Sequence, residues 1–391
     1  MKNKHKLNIL FFTLIAFLFS CTQSNESSKS GEIRNYKAIV TDSLTFDWLP
    51  EVKLLDYNDE TGEFLLESQK DILVIDKEAN VVSQFNPHVE GPNYVGDNDF
   101  GWIFYGENQL MAYGINYFYL FDKNDGLIER YSYPIEVNSW TRLGGFPQMH
   151  FHYQEGSKDK MVAFITNPPG PDKSTQAFQD SVKMVYLMDL ENGESRPVMH
   201  KPETSIYRTI GRYIDRGFPY MTHLQDSKFA QTLASDSILY IWDAESNQLL
   251  NQIALPEEFK PDFETTAFGE RLEPDRYRTN YFIHSTGRMI VLASNTGIPE
   301  SVYRDLRKTS RWWESEAYKE AGKKYFSEQY LLFDESRFLG KLKLDIGPYR
   351  FDRLSTQSGF MWFQRRYADE RDYHTFLKVE IVPEEDKPIT N

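Results

Sequence analysis

The feature that most restricts what this 391-residue chain can fold into is a pattern that recurs five times: an alternating apolar run, an aspartate closing it, a short turn and a second apolar run. The copies are DILVIDKEANVVSQF (71–85), YFYLFDKNDGLIERY (117–131), MVYLMDLENGESRPV (184–198), ILYIWDAESNQLLNQI (238–253) and YLLFDESRFLGKLKL (330–344). β-branched and aromatic residues at every second position mark strands, and Asp, Asn, Ser or Gly mark where the chain reverses. The closing residues Asp76, Asp122, Asp189, Asp243 and Asp334 carry a short carboxylate suited to accepting hydrogen bonds from turn amides. Each copy is expected to be an antiparallel hairpin with a structural aspartate. In FDKNDGLIE the order of Asp122, Asn124, Asp125 and Gly126 hints at a calcium loop, but the glycine falls one position early and no helix flanks it.

Upstream of each hairpin stand two more strand-like runs. The nearer set is GEFLLES (62–68), NQLMAYG (108–114), KMVAFIT (160–166), FAQTLA (229–234) and GRMIVLAS (287–294). The farther set is VKLLDY (52–57), FGWIFYG (100–106), QMHFHYQ (148–154), YMTHLQ (220–225), NYFIHST (280–286) and PYRFDRLST (348–356). GFMWFQRR (359–366) and HTFLKVEIV (374–382) then read as a sixth copy without its final strand. Successive hairpin aspartates are 46, 67, 54 and 91 residues apart, the rhythm of propeller blades carrying loop insertions. A thin four-stranded sheet cannot bury both its faces alone, whereas sheets stacked around an axis can. The expected fold is therefore all-β, a six-bladed β-propeller over residues 32–391, with NYKAIVTDSL (35–44) closing the ring as the outer strand of the last blade.

Two insertions interrupt the rhythm. NPPGPDKSTQAFQD (167–180) reads as a Pro-rich loop. PESVYRDLRKTSRWWESEAYKEAGKK (299–324) reads as a helical insertion in the fifth blade, with Pro299 at its first turn and Gly322 near its end. Its Trp312–Trp313 pair suits either packing onto the domain beneath or a ligand platform.

The amino-terminal segment has the zones of an export signal: Lys2, Lys4 and Lys6, an apolar run from Ile9 to Phe19, and the small Ser20. The run has 11 positions, short of the roughly 20 that a spanning helix needs. Leu18-Phe19-Ser20-Cys21 resembles the lipobox of bacterial lipoproteins, which implies cleavage before Cys21 and lipidation of its sulfur. Residues 1–20 are expected to be a lipoprotein signal peptide and 21–31 a lipidated flexible tether, since Thr22 to Gly31 holds no large apolar residue. By analogy with lipoprotein sorting, Thr22 after the cysteine favours the outer membrane of a bacterial cell envelope. Cys21 is the single cysteine, so no disulfide supports the body. Together with this lipobox, DILVIDKEANVVSQF, EGPNYVG (90–96) and EPDRYRTNYF (273–282) resemble an uncharacterised family of bacterial lipoproteins expected to be six-bladed propellers. That resemblance implies the fold and offers no catalytic residues.

The formal charge is −14, and loss of residues 1–20 with their three lysines moves it to −17, 41 basic against 58 acidic residues. A body this acidic repels phosphate backbones, which argues against a nucleic-acid partner. P-loop, dinucleotide GxGxxG, HExxH and GxSxG motifs are absent from the sequence, and no cofactor is expected.

Aligned by strand, the first run of successive units places His152, His223, His284 and Arg353 at one position, 71, 61 and 69 residues apart. Equivalent blades would bring these groups toward the axis, with Arg278 nearby, and His150 shares a strand face with His152. Such a set can hydrogen-bond between blades, hold an anionic or sugar-like ligand, or bind a metal. Arg208, Arg212 and Arg216 are four apart and would form a basic face if helical, but Gly211 and Gly217 argue for a loop. The leading expectation is a lipid-anchored, non-catalytic propeller binding an envelope protein partner or a small polar ligand. The rival is a hydrolase or lyase using the channel histidines, with or without a metal.

Overall fold

The computed structural model describes residues 34–384 apart from 98, 115–116, 125, 136–149, 157, 166–167, 169, 173, 215–216, 271–278 and 351–357. Cys21 with its signal and tether, Arg278, Arg353, Arg216 and Asp125 lie outside the described residues.

The chain opens with β1 (Arg34–Asp47) and then runs through four-stranded antiparallel meanders in sequence order. The first comprises β2 (Val52–Tyr57), β3 (Phe64–Ser68), β4 (Asp71–Ile75) and β5 (Val81–Phe85); the second, β6 (Asp99–Tyr105), β7 (Gln109–Gly114), β8 (Tyr117–Asp122) and β9 (Gly126–Ser132). The third comprises β10 (His150–Glu155), β11 (Lys158–Phe164), β12 (Val185–Asp189) and β13 (Ser195–Val198); the fourth, β14 (Pro219–His223), β15 (Lys228–Leu233), β16 (Ile238–Asp243) and β17 (Gln248–Ala254). The remaining strands are β18 (Thr279–Thr286), β19 (Met289–Thr296), β20 (Ser327–Phe333), β21 (Phe338–Lys343), β22 (Tyr349–Arg350), β23 (Phe360–Arg365) and β24 (Tyr373–Pro383). They form one eight-stranded sheet with β1, in the order β18-β19-β20-β21-β1-β24-β23-β22. β1 pairs antiparallel with β24 and, over Arg34–Lys37, parallel with β21.

Period-two alternation explains why these sheets stack. Neighbouring residues on one strand point to opposite faces, and here both faces are buried. Leu110 and Ala112 pack with Leu65 and Val74 of the preceding sheet, whereas Met111 and Tyr113 pack with Met161 and Met188 of the following one. Val162 and Phe164 meet Phe229 and Tyr240, and Leu239 and Ile241 meet Leu292 and Leu331. Val291 and Leu332 meet Met361 and Val379. Finally Phe360, Trp362 and Phe376 share a core with Leu54, Leu66 and Leu73 of the first meander, so the succession of shared cores returns to its start. Meanders stacked face to face in this cyclic order are the arrangement of a β-propeller.

All five hairpin aspartates serve their turns. Asp76, Asp122, Asp189, Asp243 and Asp334 each accept a main-chain N–H two or three residues on through Oδ1, from Glu78, Asn124, Glu191, Ser246 and Ser336 at 2.7–3.1 Å. In a meander, the first–second and third–fourth turns lie along one edge of the ring. The second–third turns and the sheet-to-sheet connections lie along the other.

One insertion differs from its sequence reading. Within 167–180, expected as plain loop, the chain forms α1 (Gln176–Ser181). Thr175 Oγ1 caps it by accepting the Phe178 N–H at 3.3 Å, and Phe178 is buried in the core. Ile206–Thr209 forms the single turn α2, after which Gly211 takes a positive φ of 66° and ends it. Arg208 therefore donates to the Lys201 carbonyl and Arg212 to Thr265 Oγ1, and the two share no face. Between β19 and β20 lie α3 (Glu300–Leu306) and α4 (Glu316–Tyr325), joined by a 3-10 turn over Trp312–Glu314. Trp312 packs among Tyr303, Tyr318 and Tyr325, while Trp313 is 55% exposed.

Candidate functional site

First strands of neighbouring sheets meet directly where β2 adjoins β6 and where β14 adjoins β18. Asp56 on β2 accepts the Phe104 N–H of β6 at 2.7 Å. Thr222 Oγ1 on β14 accepts the Ser285 N–H of β18 at 3.1 Å, and Ser285 Oγ donates to the His223 carbonyl at 2.5 Å.

His152 and His223 stand at the hairpin edge of the ring, beside the β10–β11 and β14–β15 turns. His152 turns to the preceding sheet, where its ring lies 4.1 Å from that of Tyr105. Its Nε2 is 3.0 Å from Asp159 Oδ1 of its own hairpin. His223 also faces the preceding sheet, with its ring 5.6 Å from Tyr153 and 4.9 Å from Phe229. Its Nε2 donates to the Asp226 carbonyl at 2.7 Å.

Burial holds both imidazoles below the usual histidine range. For His152 the Asp159 carboxylate opposes that shift, and for His223 a positive charge on nearby His152 adds to it. Burial and Asp159 together push the Tyr105 phenol well above its ordinary value. The edge thus carries tyrosine and histidine rings from three consecutive sheets, with the Asp159 carboxylate beside Tyr105 and His152.

His284 is elsewhere. It is buried, edge-on to Phe282 at 3.8 Å, and shares with Phe282 the face turned to the following sheet. The reason is a bulge in β18, where the register with β19 shifts between Asn280 and Phe282. One extra residue moves every later side chain to the opposite face. Among the described residues no three His, Cys, Asp or Glu side chains stand together to hold a metal ion.

His150 lies deeper, at the start of β10. It stacks on Tyr113 at 4.2 Å and meets Phe118 edge-on at 5.1 Å, and neither ring nitrogen has a hydrogen-bond partner among the described residues. Burial lowers its pKa to about 3. Sequence reasoning missed Asp56 and Tyr105. Asp56 interrupts the apolar run of VKLLDY, and such a carboxylate in a buried strand is the signal that marks it.

The fold is similar to that of a solved DUF4221 family member from Bacteroides vulgatus, 12% identical, over 90% of this chain and 100% of that one, with a TM-score of 0.60. Weaker likenesses are to BamB from Moraxella catarrhalis (10% identity, 87% and 99% of the two chains, TM-score 0.38) and to the β-propeller domain of Cps50 (Swd1) from Myceliophteria thermophila (9%, 87% and 99%, 0.39). No family model and no curated protein matches the sequence. No described helix is long and apolar enough to cross a membrane.

Proposed function

We propose that this chain is a lipid-anchored propeller of the bacterial cell envelope, held in the outer membrane through Cys21. In this reading it binds a protein partner or a small polar or anionic ligand at the channel mouth and carries out no chemistry. Residues 1–20 are its signal, 21–31 its tether and 32–391 its propeller. Counting the eight-stranded sheet as two blades sharing β1 gives a ring of six, with α3 and α4 an excursion of the fifth. Six shared cores in cyclic order support that count.

The observation that carries the binding reading is the hairpin edge itself. Tyr105, His152, Tyr153 and His223 alternate apolar faces with polar tips, and both histidines are already engaged by Asp159 or the Asp226 carbonyl. Such rings supply contact area and hydrogen bonds at small entropic cost. In this reading Arg278 and Arg353, which lie outside the described residues, would add positive charge.

The test is to purify the full chain from bacterial membranes and identify what co-purifies by mass spectrometry and crosslinking. Release of the chain into the soluble fraction by Cys21→Ala, and loss of the bound species in His152→Ala/His223→Ala, are the expected results. A chain that stays membrane-bound without Cys21 overturns the anchor.

The neutral state of both imidazoles is the state of a general base and favours, as a second reading, a hydrolase or lyase. Turnover of a sugar, lactone or peptide substrate that vanishes in His223→Ala would establish it.

A further inference from the structure

A recess of about 560 Å³ opens on the other edge of the ring, between the β23–β24 connection and the β1–β2 junction. Its frame is fixed from three sides. The Arg366 N–H donates to the Pro348 carbonyl at 3.1 Å, the Trp48 N–H to the Asp372 carbonyl at 3.1 Å, and His374 Nε2 to the Pro50 carbonyl at 2.9 Å.

The lining gathers Arg365, Arg366 and Arg371 in a chain whose net charge is −14. The guanidinium carbons of Arg365 and Arg371 each lie 5.6 Å from the centre of the Tyr367 ring. That ring is held by its hydroxyl, which donates to Thr375 Oγ1 at 2.8 Å, and by Tyr373, edge-on at 5.5 Å. An anion lying between these two cations would be attracted by both. The ion pair present is Arg371 with Asp369, long at 3.7 Å; Arg365 and Arg366 have no ion pair among the described residues.

Gln364 adds an acceptor. It is 4% exposed, its Nε2 donates to the Val52 carbonyl at 2.9 Å, and its Oε1 has no donor among the described residues. Glu51 and Glu370 also line the recess. Carboxylates there oppose a multiply charged phosphate, but they accept hydrogen bonds from hydroxyls. Guanidinium forks match a carboxylate, acidic and amide oxygens match hydroxyl donors, and flat tyrosine faces match the C–H face of a pyranose. The volume falls within the range of small-molecule sites.

We propose that this recess binds an acidic saccharide, a sugar unit bearing a carboxylate. Arg365 and Arg371 clasp the carboxylate, and Tyr367 forms the floor between them. The site is separate from the histidine edge, so it stands or falls independently of the reading above.

The test is calorimetric titration of the full-length chain with trigalacturonate, with neutral maltotriose, and with inorganic phosphate as competitor. Trigalacturonate should bind and maltotriose should not. The exposed-residue variant Arg365→Ala/Arg371→Ala should weaken binding about tenfold or more, as expected for charged hydrogen bonds, at an unchanged melting temperature. His152→Ala/His223→Ala should leave it unaltered. Equal binding of maltotriose, displacement by phosphate at equal concentration, or full binding by the double-arginine variant would each overturn the proposal.

Discussion

Asp56 and Phe104 join two sheets by one hydrogen bond: the carboxylate of the first accepts the main-chain N–H of the second at 2.7 Å. The bond lies in a site so buried that desolvation raises the carboxyl pKa to about 7. In the unfolded chain the same group titrates near 3.8. The folded state therefore holds a proton that the unfolded state has released, and stability falls as pH rises from about 4 to 7. Asp56→Asn keeps an acceptor for Phe104 and removes the charge. We expect it to stabilise the protein by about 2 kcal/mol at pH 8 and to change little at pH 4, measured by urea unfolding at both values.

His150 acts with the opposite sign. With its folded pKa at about 3, it stays neutral while the unfolded histidine charges below about 6.5. Its stability contribution is complete above pH 6.5 and is lost toward pH 3, at about 1.4 kcal/mol per pH unit. His150→Phe fits between Tyr113 and Phe118 without a titrating group. Acid unfolding of this variant should shift to lower pH, while its melting temperature at pH 8 stays close to that of the parent chain.

Where β1 meets β21, Gly340 lies so close to the carbonyl oxygen of Arg34 that no Cβ fits between them. Gly340→Ala should force the two backbones apart and cost about 1–3 kcal/mol. Gly322 in α4 has open space around it, and Gly322→Ala should instead strengthen that helix by about 0.5–1 kcal/mol. Thermal melts of the two variants should move in opposite directions.

The paired tryptophans divide in the same way. Trp312 lies 5.5 Å from Tyr303 and 5.2 Å from Tyr318 in the small core of the helical insertion, whereas Trp313 is largely exposed. Trp312→Ala should expose residues 299–326 to limited proteolysis at least about tenfold faster, as local stability falls by a few kcal/mol. Trp313→Ala should leave the cleavage rate unchanged.

Strand periodicity and turn chemistry made much of this architecture readable in advance, because both are local. Asp76, Asp122, Asp189, Asp243 and Asp334 bind turn amides only two or three residues away, so their role is written beside them. Both faces of each strand are apolar, as at Leu110 and Met111, and such a strand needs a neighbour on each side. The closing strand over 35–44 was visible for the same reason: the last copy lacked a partner, and β1 pairs with β24.

What the sequence could not decide depends on contacts between residues far apart in the chain. Alignment of the first strands placed His152, His223 and His284 at one position, yet a one-residue bulge in β18 turns His284 to the opposite face. Spacing counts residues, and only strand pairing says where a residue is left over. The parallel contact of β1 with β21, the ionisation of Asp56 and the convergence of Arg365 and Arg371 on Tyr367 likewise come into being when the sheets stack. Burial and proximity are properties of the assembled ring, and strand alternation says only that each sheet must find one.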